Sequence, residues 1–424
     1  MRLAVVGGGI AGLSAAWLLS RQHRVTLFEA ANYAGGHTHT VDVDVDGSRF
    51  PVDTGFLVFN ERTYPNLCAL FEHLGVASVE SEMSFSVRID EDRLEWAGSS
   101  LATVFAQKRN LVKPEFWGML KDILRFNREG TRCVTEARAV EGSIAEFLAA
   151  GGYGRAFRDW YLLPMSAAIW SCPTASMLEY PADTFLRFCH NHGLLQVNDR
   201  PRWRTVAGGG REYVKRLVEG ISDVRIGTPV RRITREENAT FVETAAGEDV
   251  FDGVVLACHS DQALRLLADA DSVERGTLGD VRYQDNEAWL HTDASLLPRV
   301  KEAWSAWNYL AGGAQAAGRP VSVSYLINRL QPLPCTTPVM VTLNPLREPA
   351  PGTVLRRITY AHPIFDGPAI AAQRRLPGLQ GRRRTWFCGA WTRYGFHEDG
   401  LLSAIAVANA LGVQVPWQSR AVAA

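Results

Sequence analysis

Residues 3–29 hold the pattern that most limits what this chain can fold into. Leu3–Val6 is a short continuous apolar run, as in strands buried on both faces. The turn Gly7-Gly8-Gly9-Ile10-Ala11-Gly12 follows, then a helical stretch Ala11–Ser20 and a second apolar strand, Val25–Glu29, ending on an acid. Strand, glycine turn, helix and strand in this order open a βαβ unit, so a parallel sheet should begin at the N-terminus. The glycines fit the GxGxxG spacing of a dinucleotide site. Gly7 permits the tight turn, Gly9 lets backbone approach a pyrophosphate, and Gly12 lets the helix pack on the strand. Ile10 and Ala11 open the helix, whose free N–H groups face the phosphates. Glu29 lies 20 residues beyond Gly9, where a ribose-binding carboxylate belongs.

The same region has a competing reading. Leu3–Leu19 is uncharged behind Arg2, as an export signal or membrane span would be. Four glycines and Ser14 interrupt it, and it is short for a span. The strand–turn–helix pattern accounts for it better.

With 424 residues, two or three domains are expected at about 150 residues each. Hydrophobic residues make up 46% and charged residues 21%, as in ordinary globular chains. Lys+Arg and Asp+Glu both number 45, so no basic excess points to a nucleic-acid partner. The seven cysteines are odd in number and none lies in a CxxC pair, which argues against a disulfide framework or zinc site and for a reducing, cytoplasmic setting. Further buried-strand patterns occur at Val254–Cys258 and Thr385–Gly389, with bulkier, aromatic-rich stretches between them. The expected fold is α/β: a Rossmann-like FAD-binding domain from three segments (1–75, 200–275 and 376–424), with an inserted mixed α+β substrate domain (76–199 and 276–375).

FAD rather than NAD is favoured by three further stretches. Gly35-Gly36-His37 follows Glu29, TVAGGGREYV spans 205–214, and the C-terminal region reads FCGAWTRYGFHEDGLLSAIAVANALG. This order resembles the flavin-containing amine oxidase, carotenoid desaturase and protoporphyrinogen oxidase superfamily. It is most similar to a bacterial branch of NAD/FAD-binding oxidoreductases, with which it shares phrases such as DTGFLVFNERTYPN, LLPMSAAIWS, NHGLL and GFHEDGL. Genes of that branch commonly accompany cyclopropane-fatty-acid synthase-like methyltransferases. The resemblance implies that Gly7, Gly9 and Gly12 hold the FAD pyrophosphate, and Glu29 the adenosine ribose. It implies that Gly36 and His37 lie along the pyrophosphate and ribityl chain, and that Val230 meets adenine through its backbone. Gly389, Ala390 and Gly400 would run beside the flavin, with a helix from Leu401 pointing its N-terminus at the ring. Two positions depart from the superfamily: His37 stands where Arg is usual, and Ala390 where an acid is usual. No second GxGxxG occurs, so no separate nicotinamide site is expected.

Three residues are candidates for the chemistry. His397 falls where the resemblance places the flavin ring and could shuttle a proton; alternatively residues 397–399 form a turn in which Asp399 caps the helix. Phe396, with Tyr394, could form an aromatic wall, and Trp170 could line a substrate cavity. Asn191, His192 and His291 are open to the same reading, or to being buried polar groups with ordinary partners. The stretch Phe105–Arg132 mixes seven Lys and Arg with Leu, Phe and Trp117, as a membrane-surface helix or a solvated face would.

The expected activity is hydride-type dehydrogenation of an apolar substrate, a fatty acyl chain or lipid, with oxygen or a quinone as electron acceptor. A methyltransferase acting on acyl chains is the expected pathway partner. The expected location is cytoplasmic, with peripheral attachment at the inner membrane face. Alternatives are an amine oxidase, a flavin-dependent isomerase or saturase, and a non-catalytic lipid binder. Many amine oxidases of the superfamily place a Lys near flavin N5, and the comparable stretch Tyr283–Thr292 holds none.

Overall fold

Leu3 and Val5 point to one face of the first strand, Ala4 and Val6 to the other, and both faces are covered. That explains the unbroken apolar run. In this computed structural model, which describes residues 1–170, 174–196, 200–312 and 322–417, the strand Arg2–Val6 pairs in parallel with Arg24–Phe28 and Gly253–Leu256. Asp223–Arg225 and Thr385–Phe387 complete a five-stranded parallel sheet at its two edges. The helices Ile10–Leu19 and His397–Ala410 cover one face. The antiparallel sheet Arg232–Arg235, Thr240–Thr244 and Gly247–Phe251 covers the other, with the helices that follow it. The sheet is therefore assembled from distant segments of chain, as the spacing of buried-strand patterns predicts.

A second, seven-stranded mixed sheet runs in the order Val354–Ile364, Arg282–His291, Met340–Leu343, Ser322–Leu326, Trp307–Ala311, Phe85–Ile89, Leu94–Ala97. The hairpin Thr40–Val45 and Ser48–Asp53 sends Val41, Val43 and Val45 into the core of this sheet. The described residues between 101 and 191 are mostly helical, packed around Phe126, Phe157, Phe185 and Phe188.

Three boundaries differ from the sequence reading. The 11-residue strand Val354–Ile364 is hidden in sequence by Arg356, Arg357 and Pro363. It lies at a sheet edge, where charge and proline are tolerated. Val230–Ile233 reads as a short strand in the sequence, whereas the strand is Arg232–Arg235 and Val230 precedes it. The last helix begins at His397, not Leu401. Asp399 caps it by accepting the Phe396 N–H at 3.0 Å, and Glu398 accepts the Asn66 and Leu67 N–H groups, each at 2.9 Å, at the start of the helix Pro65–Leu74. Two acids in the first turn also complement the helix dipole. Six described cysteines are free thiols, and Cys172 lies outside the described residues. Among the described residues no helix is long and apolar enough to cross a membrane.

Candidate active site

One cavity of about 1690 Å³ joins the two sheets. Ligand pockets commonly hold about 300–1,000 Å³, so this one has room for a dinucleotide and a second molecule. Its first end is the glycine turn. Gly7 has φ +109°, and a Cβ there would lie 3.0 Å from the backbone of Ala257 and Cys258. A Cβ on Gly12 would lie 1.8 Å from the Gly7 carbonyl oxygen, so this glycine serves packing and does not line the cavity. Gly9 is the opposite case: a Cβ there would meet nothing within 4 Å, because it would project into the cavity.

Glu29 stands beside this turn. Its carboxylate accepts the N–H groups of Gly8 at 2.5 Å and Ala31 at 2.7 Å. A carboxylate offers about four acceptor positions, so two remain for hydroxyls. The Gly35 N–H donates to the Gly8 carbonyl at 2.7 Å and brings Gly36 and His37 against the turn. Val230, Gly389 and Ala390 also line the cavity, as do Ile10 and Ala11. Gly400 and Leu401 do not. The helix starts one turn earlier than expected, which carries both into its contact with the first helix. A Cβ on Gly400 would be 2.8 Å from Ile10 Cγ2, and Leu401 is fully buried.

The second end of the cavity is aromatic. Trp170 packs on Phe188 with ring centroids 4.5 Å apart, and Phe396 stacks on Phe188 at 5.3 Å. His192 donates from Nδ1 to the Phe188 carbonyl at 3.0 Å and lies 5.4 Å from the Phe396 ring. Trp170, Phe396, Tyr394 and His192, far apart in sequence, thus share one wall. His291 does not join them; it is buried in the mixed sheet, bonded to Thr342 at 2.7 Å. Asn191 is not among the cavity residues either.

His397 lies between the two ends. Its ring stacks on Phe56 at 3.8 Å, and Nε2 bonds Thr38 Oγ1 at 2.8 Å. Thr38 bonds the buried Tyr213 hydroxyl in turn. Burial pushes the His397 pKa down to about 3, so the ring is neutral and anchored.

A group of side chains around His37 has no counterpart in the sequence reading. His37 stacks on Tyr360 at 4.9 Å and lies 5.2 Å from His362 and 6.4 Å from His259. Its Nε2 is buried without a hydrogen-bond partner among the described residues. Tyr360 and His362 sit two apart on the unforeseen edge strand, so that spacing is the signal that was available. Asn286 donates to His362 Nδ1 at 2.8 Å, and Thr54 bonds the Tyr360 hydroxyl at 2.7 Å. Burial lowers the pKa of His37, with the neighbouring His362 and His259 adding to it.

A model of the family described as flavin containing amine oxidoreductase matches residues 10–277. The chain belongs to this family. The family is one of flavin-containing oxidoreductases. A carotenoid phi-ring synthase from Streptomyces griseus is 32% identical over 323 residues, covering 71% of this chain and 59% of that protein. The chain therefore spans less than two thirds of the length of the curated relatives it matches. Among solved structures, a fatty acid isomerase from P. acnes that produces CLA superposes with a TM-score of 0.67 at 17% identity, covering 96% of this chain and 98% of that one. Putrescine oxidase bound to putrescine gives a TM-score of 0.66 at 13% identity, covering 98% and 100%. These likenesses establish the fold. The cavity fits FAD on its own terms: open space at Gly9, spare acceptor positions on Glu29 and an unpartnered buried nitrogen on His37.

The buried histidines set an expectation for pH. Burial lowers His192, His291 and His362 to about 4 and His397 to about 3. The unfolded chain takes up these protons near pH 6.5 and the folded chain does not, so their stabilisation is present above pH 6.5 and lost as pH falls. Asp53 and Asp399 act in the other sense. Burial raises them to about 6 and about 7, so their contribution is present below pH 4 and lost as pH rises through those values. Four histidines outweigh two carboxylates between pH 7 and 5. With one pKa unit worth about 1.4 kcal/mol, a net loss of a few kcal/mol is expected on going to pH 5. A melting temperature that is level or higher at pH 5 would contradict it.

Proposed function

We propose that the enzyme dehydrogenates an apolar chain, a fatty acyl group or its lipid, held in the aromatic end of the cavity. The observation that carries this is the continuity of a dinucleotide cradle with a wall of Trp170, Phe188, Met165, Ile169, Phe365 and Phe396. The carboxylates among the cavity residues are Glu29, Glu80 and Glu82. Glu29 is held at the glycine turn, Glu82 pairs with Arg329 at 2.7 Å, and Glu80 is exposed, so among the described residues the aromatic end has no acid to greet an ammonium group. The carotenoid phi-ring synthase, by its name, points to the same broad class of apolar substrate.

FAD supplies the two-electron chemistry when bound. In this reading Gly7, Gly9 and the start of the first helix hold its pyrophosphate, and Glu29 its ribose. His37 stands for the usual arginine as a neutral donor from Nε2. Gly389 and Ala390 flank the ring system. Phe396 and Trp170 orient the chain and keep water out. His397, neutral and tied to Thr38, positions the wall instead of moving a proton. Oxygen or a quinone takes the electrons, and the product belongs beside a methyltransferase that acts on acyl chains.

Anaerobic bleaching of the flavin absorbance by acyl lipids, carotenoids and amines tests the proposal. Acyl lipids should reduce the flavin roughly ten- to a hundredfold faster than putrescine or a simple primary amine, the scale of a buried recognition group left unpaired, about 1–3 kcal/mol. Efficient reduction by such an amine overturns it, and reduction by carotenoids alone moves the substrate to that class. Lys301→Met should leave every rate unchanged. Lys301 is exposed and rests 5.8 Å from the Trp304 ring, and the strand Arg282–His291 has no lysine.

A further inference from the structure

The described residues expose nine large hydrophobic side chains, and five of them fall between Leu101 and Leu124. Leu101 and Val112 are 78% and 82% exposed, and Leu111, Trp117 and Leu124 about half or more. Trp117 and Leu124 are seven residues apart on the helix Pro114–Thr135, hence on one face two turns apart. The Trp117 indole donates to the Leu111 carbonyl at 2.9 Å, which joins Leu111 and Val112 to that face. A monomer in water gains nothing from such a patch, and patches of this kind mark interaction surfaces.

The charges around the patch select the partner. Lys108, Arg109, Lys121 and Arg128 are exposed, and among the described residues none has a carboxylate within 4.0 Å. Elsewhere many arginines are paired, as Arg125 is with Asp122 on the same helix. Glu115 is an exposed acid in the first turn of the same helix. Exposed Leu, Val and Trp among unpaired Lys and Arg is the chemistry of the interface of an anionic bilayer, where apolar side chains enter the headgroup boundary and cations meet lipid phosphate. The position of the patch adds a reason. Gly98 and Ser99 are exposed and also line the cavity, so the cavity reaches the surface there. Ser100 then caps the short helix that begins at Leu101.

We propose that this face docks on an anionic membrane and sets the cavity opening at Gly98–Ser99 against the lipid. The proposal rests on the surface and the opening, not on the identity of the chain oxidised. The test is flotation of the FAD-loaded protein with vesicles of phosphatidylcholine, alone or mixed with phosphatidylglycerol. The wild type should float with the anionic vesicles at low salt and be released by high salt. Lys108→Gln/Lys121→Gln/Arg128→Gln should lose roughly a hundredfold in partitioning, at about 1 kcal/mol per cation. Trp117→Ser/Leu124→Ser should also lose binding to the anionic vesicles. Flavin content should not move in either variant, and melting temperature should not move when Lys108, Lys121 and Arg128, all exposed, are replaced. Absence of flotation at low salt overturns the proposal, and so does binding that neither variant weakens. A dimer in sedimentation that Trp117→Ser/Leu124→Ser dissolves, without vesicle binding, assigns the face to a second copy of the chain instead. Vesicle binding with no flavin bleaching by acyl lipids would retain this inference and sink the proposed substrate.

Discussion

Gly9→Val is expected to give a folded protein that carries no flavin. The two halves of that result come from one geometric fact. A Cβ at Gly9 meets no atom of the protein within 4 Å, so the folded chain accommodates it without strain. The backbone there has φ −77°, which any residue adopts. The open space is the cavity itself, at the point where the helix Ile10–Leu19 directs its free N–H groups. A valine side chain would stand where the phosphates must approach. At the upper end of the about 1–3 kcal/mol that overpacking costs, affinity should fall on the order of a hundredfold. Gly12→Val is the contrasting variant. Its Cβ would lie 1.8 Å from the Gly7 carbonyl oxygen, so it should fail by unfolding. Flavin released on denaturation, measured after reconstitution with excess FAD, separates the cases. A Gly9→Val protein with a full complement of flavin would remove the glycine turn from the binding site.

These glycines also show what a sequence conveys about such a site. The first βαβ unit is local, and its strand, turn, helix and acid fall within 28 residues, so spacing alone places Gly7, Gly9, Gly12 and Glu29 relative to one another. The aromatic wall is not local. Trp170, Phe188 and Phe396 meet only because the last helix folds back on the helical region, and each alone reads as an ordinary core residue. The cluster of His37, His259, Tyr360 and His362 was hidden for a further reason. Two of its members ride on an edge strand whose arginines and proline mask the alternation that would reveal it. Gly400 misleads in the opposite direction. It resembles a site glycine in sequence, yet it is there so that two helices can touch.

The largest stability effect is expected at Arg235, which ties the covering sheet to the strand Thr385–Phe387 that leads to Gly389. Its side chain is fully buried. The guanidinium donates to Glu274 at 2.5 and 2.8 Å, to Asp269 at 2.9 Å and to Thr385 Oγ1 at 3.3 Å. Thr385 opens the strand that leads to Gly389 and Ala390 in the cavity wall. Arg235→Met would leave the Glu274 carboxylate, 2% exposed, without its counter-charge. Breaking a buried pair from one side costs about 3–5 kcal/mol, because the remaining charge is neither solvated nor paired. Asp269 is 22% exposed and also pairs with Arg383, so it is not left alone. Arg235→Met/Glu274→Gln should recover part of the loss, since the second substitution removes the stranded charge but keeps an acceptor for the Asp271 N–H. Denaturant unfolding of the FAD-free single and double variants measures both quantities. A single variant that costs under about 1 kcal/mol, the scale of an exposed pair, or a double variant less stable than the single, would show that this ion pair does not hold the wall of the site in place.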